Sequence, residues 1–479
     1  MPKLSELYAP ILGADPEIAG LTADSRAVKP GYLFAALPGT KADGRDYIRD
    51  ALARGATAVL APHGTILTGG QATLVTDDNP RRRLSLMAAR FFPRQPKIVV
   101  AVTGTNGKTS VVNFLRQIWT HLGYQAASLG TIGLVAPGRV ESGSLTTPDP
   151  VTLHRCLDRL AQEGVTHAAF EASSQGLDQF RLDGVALRAA AFTNLTRDHL
   201  DYHGTMDAYW QTKARLFYEI MPAKRVAVIN ADSPQASLLS KLCLDRGHRI
   251  VSFGVAGTDI RFVNIAPTGD GQDLSLDVMG KAYQLHLPLA GDFQASNAAC
   301  ALGLALATGA ATDAAVEALG ALQEVPGRLQ KVATTAHGSP VYIDYAHTPD
   351  GLETALKALR PHVNKQLVVV FGCGGDRDKG KRPQMGRIAA HWADRVFVTD
   401  DNPRNENPAS IRQEIMAACP GAVEIGDRAQ AIRQAIRSLN AGDLLVIAGK
   451  GHETGQVVAD KSLPFDDAEQ ARRAVEDLS

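Results

Sequence analysis

Short apolar runs recur along the whole chain, and each stops abruptly in polar or glycine residues. They are KIVVAV (97–102), THAAFEAS (166–173), RAAAFTN (188–194), RVAVIN (225–230), QLVVVFG (366–372), RVFVTDD (395–401) and DLLVIAG (443–449). They are near-continuous in Val, Ala, Leu or Phe instead of alternating with polar residues, so they predict strands buried on both faces. Helix-like segments lie between them. Parallel sheets covered by helices, an α/β fold, follow from that pattern. One stretch departs from it. LSLDVMGKAYQLHLPL (274–289) alternates about Met279-Gly280 and predicts an antiparallel hairpin.

A chain of 479 residues exceeds one ordinary core. Two proline-containing seams divide it, FFPRQPK (91–97) and EVPGRLQ (324–330). The expected domains are therefore 1–96, 97–327 and 328–479. Fifty basic and fifty acidic residues balance, which gives no reason to expect a nucleic-acid partner. Cys156, Cys243, Cys300, Cys373 and Cys419 are scattered without a CxxC pair, as expected of reduced thiols in a cytoplasmic protein. The opening MPKLSELYAP lacks the pattern of a signal peptide. The long uncharged run from Asp292 to Asp313 opens with Gln294, Ser296 and Asn297, and predicts a buried helix, not a membrane span.

The stretch VVAVTGTNGKTSVVNFLRQIW (99–119) carries the clearest chemistry. A strand runs into a glycine loop and then a helix. Gly104, Thr105, Asn106 and Gly107 can turn backbone N–H groups toward an anion. Lys108 can reach the β- and γ-phosphates of ATP, Thr109 can hold Mg²⁺, and Ser110 follows at the helix start. The common spacing GxxxxGK[ST] would need glycine at 102, where Val102 stands.

TGTNGKTS in this form resembles the Mur ligase family, which includes the folylpolyglutamate synthases. The resemblance extends over the chain through LTADSRAVKPGYLFAALPGTKADGRDYI, LTTPDP, FEASSQGLDQFRLDG, NLTRDHLDYHGTMDAYWQTKARLF, GDFQASNAACAL, VPGRLQ, DYAHTPDGL, GCGGDRDKGKRPQMG, TDDNPRNENP and AGKGHET, in the family's order. It implies a UDP-binding α/β domain, a central ATPase-like domain with a mostly parallel sheet, and a Rossmann-like third domain. It also implies a monomeric enzyme that uses ATP to activate the D-Glu side-chain carboxylate of UDP-MurNAc-L-Ala-D-Glu as an acyl phosphate. An amine of meso-diaminopimelate then attacks that acyl phosphate.

Carried over residue by residue, the resemblance assigns Glu171 and His199 to the metal and phosphates with Thr109. It makes Lys213 a carbamate able to sit beside Mg²⁺. It places Asn297, Arg328, Asp344 and His347 on the nucleotide. Ser25, Thr40, Lys41, Ala42, Thr146, Thr147, Ser173, Gln179 and Arg181 match positions that hold the UDP-muramoyl dipeptide. Three residues depart from the pattern: Ala23, Leu145 in place of Asn, and Gln294 in place of Asn.

TDDNPR occurs twice, at 76–81 and 399–404. After the first copy a helix starts at once, so Asp78 or Asn79 caps it and Pro80 falls in its first turn. After the second, Asn407-Pro408 is the better helix start, leaving 401–406 as a loop beyond a strand. Only the second copy is therefore expected to bind a ligand. The resemblance makes Asp401, Asn402, Pro403 and Arg404 the diaminopimelate-selective motif, with Arg377 and Gly449 beside it and Glu453 on the distal ammonium. A folate enzyme should lack the DSR and GTKADGR stretches. A non-catalytic precursor sensor should lack Lys108, Glu171 or Lys213. All are present.

Overall fold

The computed structural model describes residues 1–9, 13–39, 42–68, 71–143 and 145–478. Thr40 and Lys41 lie outside the described residues. Among the described residues, three sheets of four or more strands follow one another along the chain. The first has four parallel strands in chain order, Gly20–Thr22, Tyr32–Ala35, Ala58–Pro62 and Thr73–Asp77. Helix Pro80–Phe91 closes one face, burying Leu84, Met87 and Ala88 with Leu33, Leu60 and Val75. Asn79 is its cap, accepting from the Arg82 amide, and Pro80 occupies the first turn.

The second sheet has eleven strands. Its central strand, Ile98–Thr103, pairs in parallel with His167–Glu171 on one side and Ala189–Phe192 on the other. Val100 and Val102 enter one apolar core, and Val99 and Ala101 enter the other. This two-sided burial is why the run is continuous in apolar residues. Helices Lys108–His121 and Asp292–Ala307 contribute to the first of these cores. The expected hairpin forms at one edge, Gln272–Val278 with Lys281–Leu287, turning at Met279-Gly280.

In the six-stranded third sheet, Leu367–Phe371 lies between Leu444–Ala448 and Arg395–Val398, all parallel. Val369 and Phe371 face one core, Val368 and Val370 the other. Helix Pro408–Met416 starts after Asn407, which caps it. No helix among the described residues is long and apolar enough to cross a membrane.

The final helix, Asp467–Glu476, is pinned by a wholly buried ion pair. Arg428 Nε and Nη2 each donate to Asp467 at 2.7 Å, and Nη2 also reaches the Ala448 carbonyl at 3.0 Å. Asp467→Ala would strand a guanidinium with no carboxylate beneath the strand that leads into residues 449–453. A loss of about 3–5 kcal/mol in urea unfolding is expected. A loss below about 1 kcal/mol would contradict this role.

Candidate active site between the second and third sheets

The strand Ile98–Thr103 delivers the phosphate loop to the carboxyl edge of the second sheet. The neighbouring strand's exit holds it there. Thr105 N donates to Asn194 O at 2.9 Å, Asn106 N to Asn194 Oδ1 at 2.9 Å, and Thr193 Oγ1 to Asn106 O at 2.6 Å. Gly104 and Gly107 have φ of 147° and 87°. A Cβ on Gly104 would lie 1.9 Å from Thr193 Oγ1, and one on Gly107 2.3 Å from Asn297 Oδ1. Both glycines are thus required by conformation and by space. The helix starting at Lys108 has no side-chain cap, so its first amides face the loop's concavity, an anion-binding arrangement.

Two lysines meet on one carbonyl. Lys108 Nζ donates to Gly104 O at 3.0 Å and Thr105 O at 2.8 Å, and Lys213 Nζ donates to Gly104 O at 2.7 Å. Lys213 is 1% exposed, and its ammonium lies 4.3 Å over the Tyr209 ring. No carboxylate among the described residues pairs with either. Burial lowers the pKa of Lys108. Burial, reinforced by the charge of Lys108, holds Lys213 well below the ordinary lysine range, which favours the neutral amine.

Glu171, 1% exposed, closes the opposite wall. Its Oε1 accepts from Thr131 N at 2.7 Å and its Oε2 from Thr131 Oγ1 at 3.2 Å. Gly130 makes room for it, because a Cβ there would meet Glu171 Oε1 at 2.0 Å. Thr131 Oγ1 also contacts Thr146 Oγ1 at 3.0 Å. Thr147 Oγ1 bonds Glu171 O at 2.7 Å and accepts from Ser173 N at 3.0 Å. Arg181 donates to Thr147 O at 2.6 Å and to Gln179 Oε1 at 2.7 Å. Thr146, Thr147, Ser173, Gln179 and Arg181 therefore form one connected wall leading away from Glu171.

The third sheet supplies the facing wall. Arg328 Nη2 donates to Thr109 Oγ1 at 3.2 Å, and its guanidinium lies 4.6 Å over the Tyr345 ring. Asp344 accepts the amides of Leu329 at 2.7 Å and Ala346 at 2.8 Å. Burial raises its pKa, and Arg328 opposes the rise. His347 Nδ1–H donates to Tyr345 O at 2.9 Å, and burial lowers its pKa. Asp350 spans the gap, accepting from Asn106 Nδ2 at 3.2 Å and Thr196 Oγ1 at 3.0 Å.

A cavity of about 430 Å³ joins these pieces. Lys108, Thr109, Ser110, Glu171, His199, Lys213, Asn297, Arg328, Asp344 and His347 all line it, as do Thr146 and Ser173. His199 is half-exposed beside Asp198, with φ of 52°. Among the described residues no three His, Cys, Asp or Glu side chains gather as a ready metal cage. The donors at hand are the Thr109 hydroxyl, the Glu171 carboxylate and the His199 ring. A carbamate on Lys213 would add a second carboxylate, and oxygen donors suit Mg²⁺.

A second cluster lies in the third domain. Arg404 stands at φ 50°, an uncommon conformation for arginine. Its Nη1 donates to Gly375 O at 2.8 Å, and no carboxylate among the described residues pairs with it. Arg377 is exposed, and among the described residues its side chain donates only to Asp376 O, at 3.4 Å. Two guanidinium groups are thus free for an anion. Glu453 Oε2 accepts from Asn402 Nδ2 and Lys450 Nζ, both at 3.0 Å. Gly449, at φ 114°, lets Asp401 approach, since a Cβ there would meet Asp401 Oδ2 at 2.6 Å. The hairpin Gly455–Val458/Lys461–Pro464 lies over this loop. Gln456 Nε2 reaches Asp401 O at 2.7 Å, and Val457 N reaches Asn402 Oδ1 at 2.8 Å.

Ser25 and Ala42 line neither place. Ser25 begins a short turn capped by Asp24, and Ala42, exposed, accepts the Gly39 amide at 3.0 Å. Of the departures, Ala23 is exposed. Leu145 is exposed and borders a separate cavity of about 350 Å³ with Cys156. Gln294 uses its extra length, donating to Arg328 O at 2.9 Å and accepting from Asn297 Nδ2 at 3.0 Å. Thr131, Tyr209, Asp350, Lys450 and Gln456 were missed by sequence reasoning. Tyr209, Asp350 and Lys450 lie inside stretches that carry the resemblance, NLTRDHLDYHGTMDAYWQTKARLF, DYAHTPDGL and AGKGHET, whereas Thr131 and Gln456 lie in none of them.

Comparison with known proteins agrees along the full length. Residues 17–92 match the family described as Mur ligase family, catalytic domain. Residues 102–305 match the Mur ligase middle domain, and 327–451 the Mur ligase, glutamate ligase domain. UDP-N-acetylmuramoyl-L-alanyl-D-glutamate--2,6-diaminopimelate ligase of Rhizobium meliloti is 54% identical, over 98% of this chain and 97% of its own. A solved structure of a ligase with that name is similar at a TM-score of 0.75 and 33% identity, covering 100% of this chain and 99% of its own. The MurF ligase from Thermotoga maritima in complex with ADP shares the fold at a TM-score of 0.64 and 17% identity, over 96% of this chain and 98% of its own. On its sequence, its three α/β sheets and the geometry of its loop, the chain belongs to the Mur ligase family.

Proposed function

We propose that the protein is an ATP-dependent ligase of peptidoglycan precursor synthesis. It joins meso-2,6-diaminopimelate to the D-Glu side-chain carboxylate of UDP-MurNAc-L-Ala-D-Glu and releases ADP and phosphate. The observation that carries this reading is the pairing of two sites: a phosphate loop with Lys108, Lys213 and Glu171 in one cavity, and Arg404 with Glu453 in a neighbouring cluster. The name of the relative at 54% identity supports the choice of substrates. Within this reading, residues 1–96 bind the UDP end, 97–327 bind ATP, and 328–479 bind the amino acid. The enzyme works as a monomer in the cytoplasm.

A carboxylate is a poor acyl donor, and phosphorylation gives it a good leaving group. The loop amides and Lys108 draw the γ-phosphoryl group into place. Lys108 trades its two loop carbonyls for phosphate oxygens, a stronger charge-assisted contact. Arg328 and Asn297 orient the nucleotide from either side of the loop. Thr109, Glu171, His199 and carbamylated Lys213 would hold Mg²⁺, which supplies neutralisation of phosphate charge. Arg181 and Thr147, with Ser25 and Ala42 farther out, hold the UDP-muramoyl dipeptide so that its D-Glu carboxylate meets the phosphoryl group. Arg404 and Arg377 take the distal carboxylate of diaminopimelate and Glu453 its ammonium, leaving the other amine to attack as phosphate departs.

The test is ADP release with UDP-MurNAc-L-Ala-D-Glu and, in parallel, diaminopimelate, L-lysine or no amine. Release that needs diaminopimelate is expected. Equal release with L-lysine, or release that ignores the amine, would contradict the reading.

The duplicated hexapeptide provides an internal control. Arg404→Ala should raise KM for diaminopimelate about ten- to a hundredfold, the value of a bidentate charge-assisted contact of roughly 1.5–3 kcal/mol. Arg81 instead ties its helix to the Pro38 carbonyl. Arg81→Ala should leave the diaminopimelate-to-lysine ratio unchanged and shift stability by less than about 1 kcal/mol. Steady-state kinetics on both amino acids separate the two, and equal effects would defeat the assignment.

A further inference from the structure

Lys450 is fully buried, and its ammonium has two side-chain partners, Asn402 Oδ1 at 3.1 Å and Glu453 Oε2 at 3.0 Å. Asn402 closes the triangle through Nδ2 to the same Glu453 oxygen, at 3.0 Å. Both hydrogen bonds that the described residues make to the Glu453 carboxylate therefore fall on Oε2. Its side chain remains 34% exposed, and Oε1 takes no hydrogen bond from the described residues. Burying an ammonium carries a desolvation cost even when it is paired, a cost that an apolar side chain of similar volume would avoid. Anchoring alone would not need a charge, because Asn402 already holds Glu453 and is itself held by the Val457 amide at 2.8 Å.

We propose that Lys450 is a specificity-determining positioning residue that makes Glu453 a poor site for a lone ammonium group. The inference rests on the diaminopimelate reading of this cluster. Lys450 turns Glu453 so that Oε1 faces the ligand and cancels much of its charge. A distal group carrying both charges still binds, since its carboxylate meets Arg404 while its ammonium meets Oε1. L-lysine brings only the ammonium. It finds a half-neutralised carboxylate, a repelling buried cation and an Arg404 left without an anion. Selection against the wrong amino acid is thus built in as repulsion as well as attraction.

The prediction concerns a ratio. Lys450→Met and Lys450→Gln should each lower the diaminopimelate-to-lysine ratio of kcat/KM by about tenfold or more, chiefly through a lower KM for L-lysine. KM for ATP and for the UDP-linked substrate should stay within about twofold. Lys450→Gln keeps a hydrogen bond to Glu453 without the charge, so it separates charge from packing. Parallel losses on both amino acids with an unchanged ratio would overturn the proposal and leave Lys450 a structural group. The wild-type enzyme gives a check that does not depend on either variant folding. 2-Aminopimelate, which has the distal carboxylate but no distal ammonium, should compete with diaminopimelate at least tenfold better than L-lysine does. Equal or better competition by L-lysine would also overturn it. Failure of diaminopimelate itself to support ADP release in the wild type is a different result, and it would remove the functional reading instead.

Discussion

Lys108→Ala is expected to cut ADP formation by on the order of a thousandfold while the protein stays folded. Among the described residues the Lys108 ammonium bonds only to carbonyls of its own loop, Gly104 and Thr105. Its removal deletes no long-range contact by hydrogen bonding. What it deletes is a positive charge in a buried site, where phosphoryl charge is stabilised most strongly. Lys213 still donates to Gly104 and Thr193 still bonds Asn106, so the loop should keep its shape. Thermal unfolding beside an ADP assay tests both halves. Substantial turnover by the folded variant would remove the loop lysine from the chemistry.

Lys213→Ala should be nearly inactive for a different reason, and short carboxylic acids should partly restore it. Lys213 is buried with no carboxylate partner among the described residues, beside the cation of Lys108, and these surroundings favour its neutral form. Only a neutral amine adds CO₂. The new N–C bond forms as the nitrogen releases a proton, and the resulting carbamate is an anion that the Lys108 ammonium beside it favours. An added acetate or formate can occupy the space left by the alanine and supply the missing negative charge. Carbon-13 bicarbonate labelling, read by NMR on the native protein, should show one carbamate that disappears in Lys213→Ala. A fully active alanine variant, or the same signal in both proteins, would make Lys213 a structural amine.

Much of this fold is visible in the sequence because the strands are buried on both faces. Val99 to Val102 face alternate cores, so no polar residue interrupts the run. The same reasoning separates the two hexapeptides, since Asn79 and Asn407 cap helices at different distances from the strand before them. The site was less legible. Its first wall is local to the loop and so could be read. Its other walls come from pairings such as Asn106 with Asp350, and Thr131 with Glu171, far apart in sequence. Asp350 lies inside DYAHTPDGL, but as an acidic residue in the first turn of a helix it gives no sign that it reaches Asn106. Lys450 is hidden for a further reason. A lysine between two glycines reads as exposed, and only the strand-end packing around Asn402 and Glu453 reveals a buried one. Gln294 shows the reverse. It departs from its family's pattern, yet its longer side chain reaches both Arg328 and Asn297.

The central claim is that ATP activates the D-Glu side-chain carboxylate before diaminopimelate attacks it. It is tested by labelling both oxygens of that carboxylate with oxygen-18 in UDP-MurNAc-L-Ala-D-Glu and following them through one turnover with diaminopimelate. The acyl-phosphate route predicts one labelled oxygen in the released phosphate and the other in the new amide carbonyl. Unlabelled phosphate, with ADP still formed, would contradict it.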